Sequence, residues 1–155
     1  MPTILVGDTN IWIDLRVGGV LTEAFALPYS YVVPDLLFAD ELEGFEGPAL
    51  IRLGLTVEPM TSDEVGRVEV LAQAFTKPGT GDLSALALAL NRGWVLVSGD
   101  GALRDAAEQE GCEVHGTLWL MQLMVEHGVI TWEEAVVRVE SMRKAGRRLP
   151  KLEKE

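Results

Sequence analysis

Cysteine is almost missing from this chain. The single Cys112 has no partner for an intramolecular disulfide and no companion thiols for a zinc site. It reads as a small buried hydrophobe at the start of a short strand. Histidine is scarce as well: His115 and His127 come late and beside no partner that would complete a Ser/His/Asp or Cys/His set. Aromatic residues make up only 6% of the chain. No apolar run approaches the roughly 20 residues that span a bilayer. The N-terminus lacks the basic start and small-residue cleavage site of a secretory signal, so a cytoplasmic protein with no membrane partner is expected. There is no internal repeat and no low-complexity segment.

Positive charge is also in short supply, and unevenly so. The formal net charge is −11, which argues against binding nucleic acid by bulk electrostatics alone. Residues 1–137 hold 6 basic and 21 acidic side chains, whereas residues 138–155 hold 7 basic and 3 acidic. The basic end, with Arg138, Arg143, Lys144, Arg147, Arg148, Lys151 and Lys154, reads either as a grip for phosphates or as a solvated helix face with a tail.

What is present is a packed globular domain: 155 residues, 48% of them hydrophobic, enough for one real core. Ile4 to Gly7 is an apolar run ending at Asp8, followed by a helical pattern from Thr9 to Arg16. A short helix at Leu21 to Leu27 and a strand at Ser30 to Val33 come next. Pro34-Asp35 opens a helix through Leu42, in which Leu37 and Glu41 share a face four residues apart. A strand at Leu55 to Glu58 precedes a helix whose Thr61 and Glu64 have capping-box spacing. From Leu86 to Leu90 leucine alternates with alanine, a period that also suits a strand. Alanine's helix preference, the Asp82 start and the Asn91-Arg92-Gly93 stop favour a buried helix. Trp94 to Ser98 reads as a strand buried on both faces, followed by Asp100 and a helix from Ala102 to Glu110. Cys112 to Val114 form a brief strand, and helices at Thr117 to His127 and Thr131 to Ala145 close the chain. Strands alternating with helices predict an α/β fold: three layers, α/β/α, around a mostly parallel sheet.

Asp8, Asp82 and Asp100 each stand at the start of a helix, where an aspartate is a good N-cap. Asp8 and Asp100 also follow the two most strand-like runs, at the carboxyl ends where parallel sheets gather functional groups. Glu41 is mid-helix and is no cap, but composition alone does not choose it over Asp40 or Glu43. Two rivals lack their parts. An aspartyl-nucleophile phosphatase needs a second carboxylate where Asn10 stands, and a receiver domain needs a late-strand lysine, whereas Lys77 is the only lysine before the tail. Gly79-Thr80-Gly81 is no nucleotide loop, because Ser84 occupies the place of the third glycine.

Asp8-Thr9-Asn10 after a strand, Glu41-Leu42 in the helix after the second strand, Gly81-Asp82 opening an alanine-rich helix, and Val97-Ser98-Gly99-Asp100 before another helix together resemble a PIN domain. Gly116-Thr117-Leu118 to Gly128-Val129-Ile130 is similar to the C-terminal part of VapC-like toxins. The resemblance implies a PIN-like domain over residues 1–130, with residues 131–155 as a C-terminal helix and basic tail packed on or extending it. It implies a ribonuclease in which Asp8, Glu41, Asp82 and Asp100 hold one or two Mg²⁺ or Mn²⁺ ions. Thr9, Asn10 and Ser98 would orient those acids or the attacking water, although turn and capping chemistry also accounts for Thr9 and Asn10. It further implies an RNA substrate, an antitoxin protein partner and a homodimer. A PIN-like module that binds protein without cutting is the alternative. Four converging carboxylates repel one another, and hard divalent cations relieve that conflict in an oxygen-only donor set.

Overall fold

The computed structural model describes residues 3–44 and 46–149. Five strands, β1 (Thr3–Gly7), β2 (Tyr29–Pro34), β3 (Thr56–Glu58), β4 (Val95–Val97) and β5 (Val114–His115), form one sheet in the order β3-β2-β1-β4-β5. Every pairing is parallel, with Ile4 opposite Ser30, Gly7 opposite Val97 and Val97 opposite His115. The expected mostly parallel α/β/α sheet is therefore entirely parallel. Its central strand is β1, whose Leu5 and Val6 are fully buried.

The strand order places a topological switch between β1 and β4. From β1 the chain winds outward through β2 to β3, then returns to the other side of β1 for β4 and winds on to β5. Connections leaving β1 and β4 diverge, opening a crevice at the carboxyl ends of these two strands, where open α/β sheets bind ligands.

The helices are α1 (Thr9–Val17), α2 (Leu21–Phe25), α3 (Asp35–Leu37), α4 (Gly47–Leu53), α5 (Ser62–Ala74), α6 (Thr80–Arg92), α7 (Gly101–Gln109), α8 (Thr117–Glu126) and α9 (Trp132–Lys144). No helix among the described residues is long and apolar enough to cross a membrane. The α6 helix lies against β1, β2 and β4, with α3, α5 and α7 beside it, while α1, α2, α8 and α9 pack together. In α6, every residue from Leu83 to Ala89 is buried. Its alanines let neighbouring elements approach, and each leucine fully withdrawn from water contributes about 1.5–3 kcal/mol. Trp12 is wholly buried against the end of β1: a β-carbon on Gly7 would stand 2.6 Å from its ring. Its ring also meets Phe25 at 5.7 Å and Tyr31 at 5.5 Å. Glycine at the last position of β1 is thus a packing requirement.

Most boundaries shift by one or two residues from the sequence reading, and three differences stand out. The helix after β2 has only one α-helical turn before a π-helical turn, Phe38–Leu42. The α6 helix begins at Thr80, so Asp82 is its third residue and not its cap. Cys112 is buried as expected, but β5 starts two residues later, at Val114. The Thr61–Glu64 capping box is formed in both directions, at 3.2 and 2.8 Å. Arg92 at the end of α6 then closes onto this start of α5, bonding Glu64 at 2.7 and 3.0 Å and Glu58 at 2.9 Å.

The basic end is not a free tail throughout. Val139 and Met142 of α9 belong to the core, and Arg147 pairs with buried Asp14 at 2.5 Å. Lys151 and Lys154 lie outside the described residues.

Candidate metal centre at the carboxyl edge of the sheet

Asp8 follows β1 and caps α1. Its Oδ1 accepts from Ile11 N at 2.8 Å and from Gly99 N at 3.4 Å, and its Oδ2 accepts from the Ser98 hydroxyl at 2.6 Å. The carboxyl is completely buried. Burial pushes its pKa up to about 7, and the charge of Asp82 adds to the rise, against the lowering by the Ser98 and Ile11 bonds. Ser98, one residue past β4, ties the ends of β1 and β4 together through its bond to Asp8, and its hydroxyl also accepts from Asp100 N at 2.9 Å.

Asp100 caps α7, with Oδ2 accepting from Leu103 N at 3.0 Å. Asp82, in the first turn of α6, accepts at Oδ2 from Gly79 N at 3.3 Å. Its pKa is raised, chiefly by burial and then by the charges of Asp100 and Glu41, despite the lowering by the Gly79 bond. Glu41 projects from the π-helical turn, and its Oε1 accepts from the Thr9 hydroxyl at 2.9 Å. Inserting one extra residue per turn re-aims a side chain, which is why such turns recur at functional sites. Its other oxygen lies over the backbone of α6, where a β-carbon on Gly81 would stand 1.7 Å from Oε2. Gly81 is what lets Glu41 reach this edge.

The four acids thus come from four separate segments and form one electrostatic cluster. Asp8 feels Asp82, and Asp82 feels Asp100 and Glu41. Capping and site membership are compatible. Asp100 commits one oxygen to the Leu103 amide of α7 and Asp82 one to the amide of Gly79, the residue that caps α6; each leaves the other oxygen without a hydrogen-bond partner among the described residues, as does Glu41. An all-oxygen donor set of this kind suits hard divalent cations. As the side chains stand, no three His, Cys, Asp or Glu among the described residues are close enough to hold an ion. The donor chemistry fits; chelation requires the acids to draw together against their mutual repulsion.

Of the polar residues predicted to orient the acids, Thr9 contacts Glu41 and Ser98 contacts Asp8. Asn10 instead accepts from Arg147 Nη2 at 3.1 Å. Sequence reasoning overlooks Asp14, four residues after Asn10 on the same face of α1. Asp14 is 1% exposed and receives Arg147 at 2.5 Å and the Thr117 hydroxyl at 2.6 Å. This network fastens the end of the chain beside the site. The i, i+4 spacing of Asn10 and Asp14 is its only sequence signal.

Comparison with known proteins agrees with this architecture. The family model described as "DUF3368: PIN domain" matches residues 4–154. Among solved structures, the fold is similar to a PilT N-terminus domain protein from the hyperthermophilic archaeon Sulfolobus solfataricus P2. The TM-score is 0.58 at 16% identity, over 81% of this chain and 96% of that one. At that identity the likeness is one of fold. No curated protein matches.

Proposed function

This chain belongs to the PIN-domain family, and on that premise we propose that it is a metal-dependent endoribonuclease of the VapC-like toxin kind, hydrolysing phosphodiester bonds of single-stranded RNA. PIN domains are typically metal-dependent nucleases. The observation that carries the proposal is positional: Asp8 follows β1 and Asp100 lies beyond β4, the two strands at the switch, with Ser98 bonded to Asp8, while Glu41 stands against Gly81, the residue before Asp82. These four acids would hold Mg²⁺ or Mn²⁺. When bound, such ions lower the pKa of water and neutralise charge developing on the phosphoryl group.

The chain's own residues set the conditions. Ser98 and the amides of Ile11 and Gly99 fix the Asp8 carboxylate, whose burial makes a neighbouring cation favourable for its ionised form. Thr9 holds Glu41 beside Gly81. No side-chain nucleophile is required. His115 pairs with Glu113 at 3.0 Å and stacks on Trp119, and His127 ends α8. A cytoplasmic location, an antitoxin partner and a homodimer accompany this reading. So does a division into a nuclease domain over residues 1–130 and a C-terminal helix and tail over residues 131–155.

The test is cleavage of defined single-stranded RNAs by purified, partner-free protein. Activity is expected with Mn²⁺ or Mg²⁺, and is lost with EDTA and in Asp8→Asn or Asp100→Asn. Metal-independent cleavage, or full activity in both variants, would sink the proposal.

A further inference from the structure

Two clefts run on from Asp100, away from Glu41. The first, of about 440 Å³, is lined by Gly99, Asp100, Gly101, Arg104 and Arg148. The second, of about 150 Å³, shares Arg104, Arg148 and Leu149 with it and continues to Thr117 and Trp119. In a chain of net charge −11 this lining is a local reversal. It contains two arginines, and its only carboxylate is Asp100 itself.

Neither arginine is neutralised among the described residues. Arg104 donates Nη1 to the Ser98 carbonyl at 2.9 Å, which anchors the guanidinium beside the site and leaves most of its five N–H donors available. Arg148 is exposed and makes no hydrogen bond or ion pair with any described residue. Two guanidinium groups bordering one cleft repel, and an anion between them removes that cost. At the far end, Trp119 is partly exposed and stacks face to face on His115, with ring centroids 4.0 Å apart and planes 9° apart. Cations followed by an aromatic surface are what a single strand of nucleic acid requires: phosphates meet the cations and a base stacks on the ring.

We propose that this continuous groove carries the RNA strand on one side of the cleavage point, with Arg104 and Arg148 holding a backbone phosphate next to Asp100 and Trp119 stacking a base. The inference rests on the reading of the protein as a ribonuclease. It names the track by which an acidic chain engages a polyanion, locally and without bulk positive charge. Asn10, Asp14 and Arg147 take part indirectly: they anchor the chain one residue before Arg148.

Binding is followed by fluorescence anisotropy with a short fluorescein-labelled oligoadenylate across a salt series. EDTA is present, so that hydrolysis and metal play no part. Arg148→Ala is expected to weaken binding and to flatten the salt slope by about 0.7, the share of one neutralised phosphate on a single strand, and Arg148→Lys to recover most of both. Trp119→Ala should weaken binding about 5- to 150-fold, whereas an abasic strand of equal length should bind it as well as it binds the wild type. Trp119→Phe keeps a ring and should keep most of the affinity. Because Arg148 is exposed, its variants test the groove even if Trp119→Ala does not fold. Unchanged affinity and slope in Arg148→Ala, or a wild type that binds no strand, overturns the groove. If the variants show these losses but the wild-type protein never cleaves with Mn²⁺, the nuclease reading falls instead and the groove stands.

Discussion

Replacing Gly81 by alanine should separate the site from the fold. Gly81 is the second residue of α6, and in a helix alanine is favoured over glycine by about 1 kcal/mol. The new β-carbon would stand 1.7 Å from Glu41 Oε2 and 3.0 Å from its carboxyl carbon, while Leu37 Cγ, at 3.7 Å, is in ordinary contact. Non-bonded heavy atoms settle near 3.5 Å, so the carboxyl must retreat by about 2 Å. Glu41 is exposed, so it swings into water at little cost. The melting temperature should therefore hold or rise by up to about 3 °C. Catalysis should not: a displacement of about 1 Å can cost about 100-fold, and here the displaced group is one of the four acids. We expect at least about a 100-fold loss of Mn²⁺-dependent RNA cleavage, with a smaller rise in melting temperature on adding Mn²⁺ than in the wild type. Glu41→Gln should lose comparably, and the double variant should be no worse than either single one, because both changes remove the same carboxylate. A folded Gly81→Ala protein that cleaves at the wild-type rate would refute the placement of Glu41 in the site.

Three further outcomes follow from buried charges. Asp8 holds its proton up to about pH 7 instead of the ordinary 3.8. Between those values the folded chain binds more protons than the unfolded one. Stability in EDTA should then fall as pH rises through that window, by up to about 4 kcal/mol, and level off above it. Urea titrations of Asp8→Asn should show no such fall, and a wild type equally flat would contradict the ionisation cost. Arg92→Ala strands the Glu64 carboxylate, whose side chain is 2% exposed, and should cost about 3 kcal/mol at neutral pH. Arg92 holds the Glu64 pKa below its ordinary 4.5, so the gap between variant and wild type should be full above that value and close as pH falls below it. An equal gap in acid would refute the assignment. Arg147→Ala leaves Asp14 with Thr117 alone and should cost about 2 kcal/mol, less than a fully buried pair because Arg147 is a quarter exposed. Adding Asp14→Asn should recover part of that loss in a double-mutant cycle, and strict additivity would mean that the two side chains do not interact.

The parts of the candidate site legible in the sequence are those written locally. A buried strand announces itself as a continuous apolar run, and the residue just past it is fixed in space by the strand itself. Asp8 and Asp100 are found that way. The strand order that sets β1 beside β4 is not local, so the sequence predicts a shared sheet edge but not that these two acids flank its switch point. In α6, burial on every side erases the amphipathic period. Leucine alternating with alanine then resembles a strand, and only composition and end signals recover the helix. Glu41 stands apart from both cases. Periodicity places it on the face of Leu37, and the structure keeps both residues against Gly81, but through a π-helical turn that no residue pattern announces.

Capping and chemistry compete as explanations only while the sequence stands alone. A helix-opening aspartate has two oxygens, and the amides of the first turn engage one of them. That bond fixes the rotamer and the position of the second oxygen before any ligand arrives. At Asp100 the donor is Leu103 N, and at Asp82, itself inside the first turn, it is the cap amide of Gly79; in both the second oxygen has no hydrogen-bond partner among the described residues. The charges of Asp100 and Glu41 act on Asp82, yet as the side chains stand no three such groups among the described residues are close enough to hold an ion. Such repulsion is relieved by a proton, as at Asp8, or by a divalent cation with oxygen ligands. On the proposed reading, the local signal that makes each aspartate look ordinary also holds it in place for a cation.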